Sequence, residues 1–206
     1  MQFFTWGINK PGVNDRRAGA LGEHWNYMDT YDDALIARGP VLDPDDLSVV
    51  TGSIHVFDLV DWDAARAFVF DEPFAKNNLF ETVHMTRFAL ELGRTQFEFK
   101  SNPDHPRFFI YAPAGADAHN QQAPLSDEHE RYCASFDANF VCRGSLLTEA
   151  GAWNGSLFLI EVPALRAAEA FLAGEPYNKA GLFREAEVRR WTLGGRANLS
   201  PSGSLD

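Results

Sequence analysis

The sequence predicts an α+β protein built from two tandem copies of one β-α-β-β-α-β unit, and three observations carry that prediction. First, the chain repeats itself. Phe3-Phe4 meets Phe108-Phe109, Glu23-His24 meets Glu128-His129, Tyr27 meets Tyr132 and Arg38-Gly39 meets Arg143-Gly144, all offset by 105 positions. After a two-residue shortening in a turn-like stretch the offset becomes 103. Gly52-Ser53 then meets Gly155-Ser156, EPFAKNNLF meets EPYNKAGLF, and Arg87 meets Arg190. Chance does not place so many infrequent residue types in one register with one small gap. Second, hydrophobic runs of strand length alternate with amphipathic stretches in the same order in both copies. Third, 206 residues with 45% hydrophobic and 23% charged content make an ordinary globular chain with enough apolar material for a sizeable core.

The elements follow in order. FFTWGI and FFIYAPA read as opening strands, aromatic and apolar, then broken by Gly or Pro. Residues 19–37 carry Leu21, Trp25, Met28, Leu35 and Ile36, a broken helical stripe, and a helix ending at Arg38-Gly39 fits because Gly tolerates the left-handed C-cap. Arg38 and Arg143 would then lie at helix C-termini, where the dipole favours a cation. GPVL and GSIHVFDLV read as two strands around an Asp/Pro turn. DWDAARAFVF reads as a short helix with Asp61 or Asp63 as N-cap, and residues 72–80 as a short irregular or helical turn. FETVHMTRFALEL closes the unit as a strand. The order is ferredoxin-like, with helices on one sheet face; the other face must bury against something, and a second copy is the obvious partner. The expected organisation is a first repeat over 1–93, a polar, Pro-bearing linker over 94–105, a second repeat over 106–194 and a disordered tail over 195–206.

Charge narrows the partners. Lys plus Arg is 18 against 29 Asp plus Glu, a formal net charge of -11, which argues against nucleic acid and anionic membrane surfaces. No apolar run reaches transmembrane length, and MQFFTWGINKPG lacks the layout of a signal peptide. Cys133 and Cys142 are too few for a disulfide framework and have no metal-ligand spacing, so a reduced, cytoplasmic location is the default expectation. HExxH, CxxC, P-loop, G-x-G-x-x-G and G-x-S-x-G patterns are absent, so no metal and no cofactor is expected.

The helical H-x-x-Y, the G-P-V-L strand start, and the acidic residue followed by Pro-Phe or Pro-Tyr with Leu-Phe downstream together resemble the YCII-related (YciI-like) family. Both halves carry the pattern. The resemblance implies a dimeric α+β barrel, here made within one chain as an intramolecular pseudo-dimer, with further homodimerisation left open. It also implies a cleft pair of a helix His and a carboxylate. On this chain the pair falls at His24 with Glu72 and at His129 with Glu175, where Glu stands in place of the family Asp and moves the carboxylate by about a bond length.

A His beside a carboxylate is an acid/base device that operates near neutral pH without metal or cofactor. The plainer reading is a structural hydrogen bond between helix and loop. Tyr27 and Tyr132, one helical turn beyond each His, could reach a substrate oxygen, though a core aromatic with a wet hydroxyl is the commoner arrangement. Arg87 and Arg190, within the final strands, could clamp an anionic substrate or face solvent. Glu23 and Glu128 are expected in solvent. Of the unrepeated histidines, His84 could line the barrel, while His55, His105 and His119 are expected at the surface. Two functional readings result. One, implied by the resemblance to the YCII-related family, is a cofactor-independent enzyme transferring a proton, in isomerisation or elimination, on a small, cyclic substrate. The other is a non-catalytic small-molecule binding protein using the same cleft. The position of the pair decides between them: at the wall of an accessible cavity it favours catalysis, sealed under side chains it favours structure.

Overall fold

The computed structural model describes residues 1–196; the tail expected from 195 onward lies, from residue 197, outside the described residues. The described residues form two compact units, one from residues 1–86 together with 192–196, the other from Arg87–Trp191.

In the first unit β1 (Gln2–Asn9) pairs antiparallel with β3 (Val50–Asp58), and β3 pairs antiparallel with β2 (Leu35–Leu42). The first half of β4 (Phe80–Leu90) flanks β1, giving the ferredoxin-like order β4-β1-β3-β2. Helix α1 (Asn14–Asp29) buries Arg17, Ala20, His24 and Met28, a stripe at helical spacing. Helix α2 (Trp62–Phe70) starts at Asp61, whose side chain accepts from the Ala64 N–H at 2.9 Å. A single turn, α3 (Pro73–Lys76), follows. Phe3, Met28, Leu35, Phe57, Ala65 and Phe68 form the core between helices and sheet.

The second unit repeats the plan: β5 (Arg107–Pro113) lies between β7 (Trp153–Glu161) and β8 (Glu187–Trp191), and β7 pairs with β6 (Phe140–Leu147). Its first helix is interrupted. A short α4 (His119–Gln122) and a 3-10 turn containing Pro124 precede α5 (Ser126–Ala134), because proline cannot donate within a helix. Helices α6 (Leu165–Gly174) and α7 (Pro176–Lys179) match α2 and α3. Residues 87–90 of β4 belong to this unit, where they pair with β6.

The expected helix ending at Arg38-Gly39 is corrected here. Helix α1 stops at Asp29, a 3-10 turn covers Asp32–Ala34, and Arg38 lies in β2 opposite His55 of β3. Arg143 likewise lies in β6 opposite Phe158. The cause is that β2 is buried along its whole length, so it shows no alternation, and its Leu35 and Ile36 prolong the helical stripe. No helix among the described residues is long and apolar enough to cross a membrane.

Candidate active site

In each copy the E-P-[FY] motif builds half of the site. Glu72 is the N-cap of α3, with Pro73 at the first helical position, and Glu175 does the same for α7. That fixes the carboxylates against α1 and α5. Glu72 Oε2 lies 2.7 Å from His24 Nδ1 and Glu175 Oε1 lies 2.6 Å from His129 Nδ1. The aromatic residue two positions later forms the floor. The His24 ring stacks on Phe74 at 4.0 Å and the His129 ring on Tyr177 at 4.2 Å. The extra methylene of Glu over Asp therefore leaves direct contact intact in both copies.

The surroundings then diverge. In the first unit His24 forms part of the wall of a cavity of about 300 Å³, lined also by Arg17, Trp25, Met28, Arg38 and His55. Glu72 lies behind the imidazole, 2% exposed. With Nδ1 on Glu72, Nε2 has no partner among the described residues. Burial, then the nearby Arg17 and Arg38 guanidinia, hold His24 well below its usual pKa. Burial pushes Glu72 up to about 7, against the opposing influence of His55 and Arg17. The pair is thus a neutral imidazole beside a carboxyl that ionises near neutral pH. Ionised, Glu72 accepts Nδ1–H and leaves Nε2 as a base.

In the second unit the ring is surrounded by carboxylates. Glu91, at the end of β4, lies 2.8 Å from Arg143, 2.6 Å from Ser145 Oγ and 3.9 Å from His129 Nε2. Glu130 accepts a second hydrogen bond from Arg143, 3.0 Å long. Burial opposes charge on His129, but Cys133, Glu175 and Glu91 outweigh it and push its pKa up to about 12. Ligand atoms of Glu91, His129 and Glu130 come within 4.8 Å of one another. Arg143 already supplies the cation between the two carboxylates, and a protonated imidazole cannot ligate, so these residues do not fit a metal.

The other expected contacts lie elsewhere. Tyr27 OH donates to the Ala67 and Phe68 carbonyls and Tyr132 OH to the Phe171 carbonyl, each tying the first helix of its copy to the second, outside the cavity lining. Arg87 donates to the Glu149 carbonyl, and Arg190 donates to the Arg107 carbonyl while lying 5.6 Å from the Phe108 ring centre. His84 stacks on Trp6 at 5.5 Å. His55, expected at the surface, is 6% exposed, 6.1 Å from the His24 ring, and driven down to about 3 by burial. Two cavity residues had signals in the sequence. Arg17 is two helical turns before His24, and His55 shares a strand face with Ser53.

Residues 1–89 and 107–192 each match the YCII-related domain family. A 5-chloro-2-hydroxyhydroquinone dehydrochlorinase from Burkholderia phenoliruptrix AC1100, in complex with 2,5-dihydroxybenzoquinone, is 26% identical over 43% of this chain and 94% of its own, with a TM-score of 0.41. A mutant chlorite dismutase from Candidatus Nitrospira defluvii aligns over 93% of this chain and 91% of its own at 10% identity, TM-score 0.59. An anthrone oxidase-like protein aligns over 94% and 90% at 10% identity, TM-score 0.56. The two full-length likenesses show the fold alone, the α+β class of the dimeric α+β barrels. No curated protein matches the sequence.

Proposed function

The chain belongs to the YCII-related family, two copies of whose domain make up most of its length, and from that premise we propose that its first copy is an acid/base enzyme acting on a small, cyclic molecule. The carrying observation is the position of the pair. His24 Nδ1 is held by Glu72 at 2.7 Å while the same ring forms part of the wall of a cavity of about 300 Å³. That volume suits a single-ring molecule. Nε2 takes a carbon-bound proton and returns it to another position, or keeps it while a leaving group departs. Glu72 fixes the tautomer and offsets the charge on the imidazolium. Trp25, Met28 and Leu21 supply an apolar wall. Nothing in this proton transfer calls for a metal or a cofactor. The remaining partners follow as proposals: a small-molecule substrate, no nucleic acid, no membrane, and two copies serving within one chain as a pseudo-dimer.

The test is solvent deuterium incorporation. A panel of cyclic enol lactones, cyclohexenones and halogenated cyclic ketones is incubated with the protein in D₂O and followed by NMR. Exchange or elimination by the wild type, lost in His24→Ala with the fold intact, supports the reading. Undiminished turnover in His24→Ala overturns it, and saturable binding with no exchange favours the binding protein.

A further inference from the structure

The two copies dispose of their buried arginines differently, and the difference identifies a ligand class. Arg38 and Arg143 are equivalent residues, and the backbone beside each is met in the same way. Glu91 N–H donates to the Arg143 carbonyl at 3.1 Å, and Gly194 N–H donates to the Arg38 carbonyl at 2.9 Å. The residue beside Arg143 is thus a glutamate whose carboxylate binds Arg143 and Ser145 and approaches His129 Nε2. Its counterpart beside Arg38 is a glycine that lines the cavity, as does Gly195. A Cβ at Gly194 would fall 2.8 Å from Gly39 Cα, so no side chain is accommodated there. Glu130, the second carboxylate on Arg143, is likewise replaced by Trp25 in the first copy. Arg38 is met instead by Asp32 at 3.1 Å and Asp29 at 3.9 Å, neither of which lines the cavity, so where the second copy sets Glu91 against its arginine the first has open space on the cavity side.

Arg17, which corresponds to Gln122, is 7% exposed and lines the same cavity. It donates to Ser53 Oγ at 2.6 Å and to Asn9 Oδ1 at 3.4 Å, and it lies over the Phe74 ring at 4.0 Å. Among the described residues no carboxylate comes within ion-pair distance of it. Burial lowers its pKa to about 10. A buried cation with only neutral partners is costly and favours an anion brought from outside. The lining carries one carboxylate, Asp15, and it is solvent-exposed. In a chain of net charge -11, two lining arginines make this cavity a local exception.

We propose that the first cavity takes a small organic carboxylate with an apolar body, its anionic group held by Arg17 and Arg38 beside His24, and that Glu91 is the built-in occupant of the equivalent place in the second copy. The apolar body lies against Leu21, Trp25 and Met28. The inference rests on reading the first cavity as the ligand site, and its test measures binding apart from turnover, so failure of the proton-transfer reading and failure of the carboxylate reading are separable.

Benzoate and benzamide, alike in shape and differing in charge, are titrated into the wild type by calorimetry. Saturable benzoate binding, weakened by salt and roughly ten- to a hundredfold tighter than benzamide, is expected. Arg17→Gln, which installs the residue of the other copy, should lower benzoate affinity by a similar factor while leaving benzamide unchanged. Acetate should displace benzoate more effectively than inorganic phosphate does. Equal binding of benzamide, absence of saturable benzoate binding up to its solubility, or displacement by phosphate as effective as by acetate would each overturn the proposal. The wild-type comparison decides even where Arg17→Gln does not fold.

Discussion

His24 and His129 each hold a glutamate through Nδ1 and each lie flat on an aromatic ring, yet their charge environments are opposite. The first is kept neutral by burial and two guanidinia; the second is kept protonated among carboxylates. The pair itself is therefore common scaffold, and what differs is the shell around it. Arg17 and His55 surround the first ring where the second copy has Gln122 and Phe158. Trp25 and Gly194 stand where the second has Glu130 and Glu91. A His/Glu pair gives a base only where its neighbours leave the outer nitrogen open and uncharged.

The largest effect that could break this comparison is on the reaction. His24→Ala should slow exchange by about 10²–10⁴-fold, whereas His129→Ala should leave the rate within about twofold and lower thermal stability instead. A comparable loss of rate from both variants would make the copies equivalent. Next is stability. Glu91→Ala leaves Arg143 with Glu130 as its one remaining carboxylate, beside a protonated His129, and should cost about 2–3 kcal/mol in urea unfolding, with exchange at His24 retained.

The pH responses should also separate the copies. Glu72 ionises near 7, so exchange should rise with pH through about 7 and level off above it, and Glu72→Gln should remove that step along with most of the rate. His129 is raised from 6.5 to about 12, so its stabilising contribution is full below about 6.5 and declines as pH rises toward 12. The unfolding free-energy difference between wild type and His129→Gln should therefore shrink between about pH 7 and 9. The smallest effect is at Tyr132→Phe, which removes a 2.9 Å hydrogen bond to Phe171 and should cost about 1 kcal/mol without altering exchange.

The repeat made the unit and the element order legible in the sequence, local pattern offered Asp61 or Asp63 as a cap, and the family resemblance pointed to the two His/Glu positions. Each of these depends on local pattern or on motifs that both copies carry. What escaped were features set by tertiary burial. β2 reads as a helix extension because every residue in it is covered. His55 reads as surface because nothing in the second copy repeats it, and Arg17 is unmarked by the repeat because Gln122 stands at its counterpart. A search for repeated residues finds what the copies share, whereas the residues that distinguish their sites are those in which they differ.

That Arg87–Leu90 belong to the second unit and residues 192–196 to the first has a consequence for synthesis. Thr192 N–H reaches the Pro40 carbonyl and Gly194 N–H the Arg38 carbonyl, so the wall beside Arg38 is made by residues that leave the ribosome about 150 positions later. At about 5–20 residues per second, the first cavity waits on the order of ten seconds after β2 emerges before that wall exists. The second unit has no such delay, since Glu91 precedes Arg143 and the whole segment from β4 to β8 is contiguous. A nascent chain exposed only as far as Trp191 would hold a finished second unit and an unfinished binding cavity, so ligand binding becomes possible only once residues 192–194 have also emerged.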